Sequence, residues 1–78
     1  MTAGDVVRFT MAYIAHLHPG RARWHAERRA KMAAWRMRLE GVDDGRDGLA
    51  AIRYIEPADG GAAWVPLEAL ELATDDPA

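Results

Sequence analysis

The chain has 78 residues, carrying 10 Lys and Arg against 12 Asp and Glu and no cysteine. That length allows one domain with a small core, and the missing cysteine excludes disulfides, thiolate metal sites and cysteine nucleophiles. At 50% apolar residues the composition is globular rather than disordered, and no apolar run approaches the ~20 residues of a membrane span.

Gly4-Asp5-Val6-Val7-Arg8-Phe9 predicts a short first strand, β-branched and bounded by glycine. Thr10 then stands as the cap of a short helix over residues 11–17, which Pro19-Gly20 stops. From Arg21 to about Ala34 the residues are strong helix formers, with no glycine, proline or β-branched side chain. Ala22, Ala26, Ala30 and Ala33 recur at helical spacing and predict a flat, small-residue face lying close against a sheet. Trp35-Arg36-Met37-Arg38-Leu39-Glu40 alternates apolar and charged residues, the pattern of a half-buried strand. The same residue types also suit a continued helix. The strand is preferred because a second strand follows at residues 49–55 and needs a hairpin partner.

Asp43-Asp44-Gly45-Arg46-Asp47-Gly48 holds the turn chemistry for that hairpin, and Pro57-Ala58-Asp59-Gly60-Gly61 that for the next. Ala62-Ala63-Trp64-Val65 predicts a further strand, which Pro66 ends or places at an edge. A single helical turn at residues 67–70 and a short strand at 71–73 follow. Residues 1–74 are thus read as one domain and 75–78 as a frayed acidic tail.

The residues Gly4-Asp5-Val6-Val7-Arg8-Phe9 at the start and Ala63-Trp64-Val65-Pro66-Leu67-Glu68-Ala69-Leu70-Glu71 at the end give the chain its family likeness. In element order it resembles an SH3-like small β-barrel of the Tudor or KOW type. The resemblance implies a mainly β fold of about five short strands, with helices inserted between the first and second strands over residues 10–34. The opening strand leading into a helix, with the Trp-Val-Pro-Leu ending, is also similar to small proteins encoded by bacteriophages and prophages. The resemblance assigns no functional residue.

Charge is the feature that rises above background. Residues 21–39 hold Arg21, Arg23, Arg28, Arg29, Lys31, Arg36 and Arg38 against Glu27 alone, whereas acids dominate residues 40–78. Such asymmetry marks either a binding surface or a basic helix lying against an acidic sheet in the same molecule. With Trp24 among them, these cations are the candidate binding residues. They fit an acidic protein partner through electrostatic complementarity, or nucleic acid through phosphate contacts and aromatic stacking. The mostly alanine apolar face offers little to a lipid surface.

Other constellations read as structural. His16 and His18 on a helix point about 200° apart, and no acid near them or His25 completes a metal site. Asp43, Asp44 and Asp47 miss the spacing of a calcium loop. There is no serine, no cysteine and no phosphate-binding glycine loop. The sequence therefore predicts a non-enzymatic interaction module without metal or cofactor. Met1-Thr2-Ala3-Gly4-Asp5 lacks the basic and apolar regions of a signal peptide, which suggests the cytosol, a host cell's if phage-encoded. A homodimer through the alanine face is a further expectation.

Overall fold

A computed structural model of the chain describes residues 1–43 and 48–73. The first strand, β1 (Val6–Phe9), buries Val7 and Phe9 and leaves Val6 and Arg8 half-covered, the period of two that a one-sided sheet imposes. At Thr10 the chain leaves the sheet. The Thr10 Oγ1 accepts the Tyr13 N–H at 3.1 Å, capping α1 (Met11–Leu17) as its sequence predicts. The Thr10 N–H itself donates to the Ala69 carbonyl at 2.9 Å, which pins the start of this helix near the end of the sheet. After Pro19-Gly20, α2 (Arg23–Ala34) runs to Trp35, whose extended backbone returns the chain to the sheet.

Residues 36–40 are strand, not helix. They belong to β2 (Arg36–Asp43), which pairs with β1 on one side and with β3 (Leu49–Glu56) on the other. Met37 and Leu39 are both fully enclosed. Only a strand aims residues two apart at one core; a helix would send them to opposite sides. The register slips between Leu39 and Gly41, leaving Glu40 as the extra residue of a bulge.

β4 (Ala62–Pro66) pairs with β3, a single 3-10 turn follows at Leu67–Ala69, and β5 (Leu70–Leu72) returns to pair with β1. The result is one antiparallel five-stranded sheet in the order β4-β3-β2-β1-β5, with both helices inserted between β1 and β2. Closure into a barrel is not among the strand pairings of the described residues, so β4 and β5 stand at the two edges. Residues 44–47 of the expected turn, and the expected acidic tail, lie outside the described residues.

Val7, Phe9, Met37, Leu39, Ala50, Ile52, Val65 and Leu70 form the core on the sheet's inner face, and Ile14 of α1 and Met32 of α2 close it from above. Each such large side chain, fully buried, contributes about 1.5–3 kcal/mol. Aromatic rings seal the rim, with Phe9 5.2 Å from Tyr13 and Trp35 5.7 Å from Tyr54 between centroids.

The alanine face expected to pack on the sheet does not. Ala22, Ala26 and Ala30 are exposed and Ala33 is half-buried, while His25, Arg29 and Met32 take the inner side. One methionine removes more apolar area from water than any of these alanines, so its phase sets the helix orientation.

Candidate docking surface on the helical insertion

The eight candidate residues separate by what they touch. Trp24, Arg28 and Lys31 follow one another at helical spacing along one flank of α2, and Trp35 continues the series one turn further. Arg21, exposed, lies just ahead of the helix on the chain. The Arg28 guanidinium sits over the Trp35 ring, 5.2 Å from its centroid. Arg28, Lys31, Ala34 and Trp35 form one wall of an open groove, and Glu56 and Pro57 of the β3–β4 connection form the other.

Arg29 and Arg36 are committed to the fold. The Arg29 Nη1 donates to the His18 carbonyl at 2.6 Å and to the Gly20 carbonyl at 2.9 Å, binding the end of α1 to the middle of α2. The Arg36 Nη1 donates to the carbonyls of Ala33 at 3.0 Å and Trp35 at 2.8 Å, satisfying acceptors that the helix end leaves open. Arg23 forms an exposed ion pair with Glu27 one turn along, at 3.2 Å, worth little in water. Arg38 is elsewhere: it lies on the sheet opposite Arg53 and donates to the Gly4 carbonyl at 3.3 Å.

Among the described residues, the paired carboxylates of the acidic half reach bases of the sheet rather than the flank. Glu71 pairs with Arg8 at 3.3 Å and Glu40 with Arg53 at 3.3 Å, both bases belonging to the sheet. Arg21 and Lys31 carry no ion pair or hydrogen bond among the described residues.

Sequence reasoning missed the packing around Trp24. That ring, 59% exposed, stacks on His25 at 3.8 Å between centroids and 26° between planes. His18 meets both rings edge-on, 6.1 Å from Trp24 and 6.0 Å from His25. Gly20 makes the crossing possible, since a Cβ there would run into the His25 ring. Partial burial, then the charges of Arg28, His25 and Arg29, hold His18 below its ordinary pKa of 6.5. The His25 Nδ1 is buried with no hydrogen-bond partner. The only forewarning was Pro19-Gly20, which folds the end of α1 back toward α2.

Among the described residues no group of three or more His, Asp or Glu is placed to hold a metal ion, and His16 stands apart, exposed on α1. No helix among them is long and apolar enough to cross a membrane. Compared with protein-family models, with curated proteins and with solved structures, the chain matches none.

Proposed function

We propose that the chain is a small non-enzymatic interaction module that docks an acidic segment of a protein partner on the α2 flank, with Arg21, Trp24, Arg28, Lys31 and Trp35 as the contact residues. The observation that carries this reading is a cationic–aromatic flank that forms no ion pair with a carboxylate of the sheet among the described residues. Tryptophan and arginine are the residues that most often dominate binding energy at protein interfaces. The Arg28–Trp35 stack holds one such arginine in place before the partner arrives, which lowers the entropy lost on binding.

The sheet supports an SH3-like scaffold for this module. Its strand order, the 3-10 turn directly before the last strand and the helical insertion after the first strand all fit that type. Glu56 on the far lip of the groove and the net charge of −2 favour a protein segment over a phosphate backbone.

The test is titration with a glutamate-rich peptide, followed by tryptophan fluorescence. Arg28→Ala with Lys31→Ala is expected to weaken binding at least ~10-fold, a change of about 1.4 kcal/mol. Arg38→Ala, on the sheet, leaves binding unchanged. Equal binding by the double variant overturns the reading. Tighter binding of single-stranded DNA or RNA, falling steeply with salt, replaces it with nucleic-acid recognition.

A further inference from the structure

The groove beside Trp35 has walls of opposite charge. Arg28 and Lys31 stand on the α2 wall, which Ala34 and Trp35 continue, and Glu56 and Pro57 form the far wall. Its volume of about 410 Å³ lies in the range of small-ligand pockets, roughly 300–1,000 Å³, so it takes in a few residues of chain. Glu56 is exposed and forms no ion pair or hydrogen bond among the described residues. It lies opposite Arg36 across the β2–β3 ladder, but the Arg36 Nη1 is turned to the Ala33 and Trp35 carbonyls. The Arg28 guanidinium is held over the Trp35 ring. Two cations on one wall therefore face a carboxylate on the other, with the gap between them open.

A segment of acids alone satisfies the first wall and is repelled by the second, since like charges brought together at an interface are unfavourable. The spacing that satisfies both follows from helix and strand geometry. Residues three apart on a helix, as Arg28 and Lys31 are, have Cβ atoms about 5–6 Å apart. In an extended chain, alternate residues point to one side and repeat about every 6.6 Å, while the residue between them points to the other side. The two repeats agree to about 1 Å, well within the reach of arginine and lysine side chains.

We propose, resting on the docking reading above, that the segment bound here is extended and alternates in charge, acid–base–acid. Its two acids pair with Arg28 and Lys31, and the base between them pairs with Glu56. The aliphatic stem of that base lies against Trp35 and Pro57. Glu56 is then the residue that sets specificity, because it attracts the central base and rejects a run of acids.

The experiment is titration of the full chain with three short tryptophan-free peptides, read by tryptophan fluorescence. Their central residues are Glu-Lys-Glu, Glu-Gln-Glu and Lys-Glu-Glu in one uncharged flanking sequence, the third having the composition of the first. Wild type is expected to bind Glu-Lys-Glu about 3-fold more tightly than either of the others, the size of an exposed ion pair. Glu56→Gln binds Glu-Lys-Glu and Glu-Gln-Glu equally. Glu68→Gln, which removes the same charge from the exposed side of the 3-10 turn, keeps the wild-type order. Equal binding of Glu-Lys-Glu and either rival by wild type overturns the proposal, and the docking reading stands if that binding still needs Arg28 and Lys31. A lysine preference that survives Glu56→Gln overturns it as well, because another group then reads the base. If wild type binds none of these peptides, nor the glutamate-rich one, the docking reading falls and this proposal with it.

Discussion

Replacing Met32 by alanine tests how the helical insertion is held. Met32 is 4% exposed and is the buried residue of α2, with Ile14 as its counterpart on α1. Methionine-to-alanine changes in cores cost about 2–5 kcal/mol, made up of lost transfer energy and the cavity left behind. Here α2 rests on the core through this one fully enclosed side chain, so it can settle into the gap, and the loss should be about 2–3 kcal/mol. A chain of 78 residues has about 4–12 kcal/mol of stability in all, so the change removes a large share. The assay is urea unfolding followed by circular dichroism, with the midpoint falling and the slope unchanged. Ala30→Glu, on the exposed face, is the control and should shift stability by less than ~0.5 kcal/mol. If Met32→Ala costs under ~0.5 kcal/mol, or Ala30→Glu costs as much as Met32→Ala, the assignment of the packed face is refuted.

Acid should loosen the helical crossing through His18. Its pKa in the fold lies below 6.5, so the unfolded chain takes up its proton first as pH falls. Stability is therefore full above pH 6.5, declines as pH drops below it, and reaches its lower level once pH passes the folded value. Thermal melts of wild type and His18→Asn across that range check this; a wild-type decline that persists undiminished in the variant counts against it. Arg29→Met keeps the aliphatic stem and deletes two charge-assisted hydrogen bonds to the His18 and Gly20 carbonyls. It should cost about 1–3 kcal/mol in urea unfolding, and a neutral result would mean water replaces the guanidinium there.

The strands and helix ends were legible because local chemistry decides them. Thr10 has a hydroxyl placed for a cap, Met37 and Leu39 repeat with a period of two, and Pro66 marks an edge strand. The face of α2 that packs was not legible in the same way. Four alanines at helical spacing outnumber one methionine, yet the methionine removes more surface from water and sets the rotation. The candidate cations were readable as a set but not in their division. Arg28 and Lys31 share a flank by helical phase, which spacing alone gives. The inward turn of Arg29 depends on carbonyls that α1 brings from earlier in the chain, and the position of Arg38 depends on strand register. Trp24 was recognised as a candidate, but its support by His18 and His25 exists only once the two helices cross.

The helical excursion begins and ends at almost the same place. Phe9 closes β1, Arg36 opens β2, and Val7 lies opposite Met37, so departure and return are one strand spacing apart, about 4.8 Å. A loop with neighbouring ends can change length at small entropic cost, since closure depends only weakly on the number of residues between. The sheet and the surface it displays can then diversify separately, in evolution or by design. A different helical pair, or a plain hairpin turn, can be exchanged for residues 10–35 provided that something fills the two positions now plugged by Ile14 and Met32. The helical insertion is, in this sense, a replaceable cartridge on a constant frame.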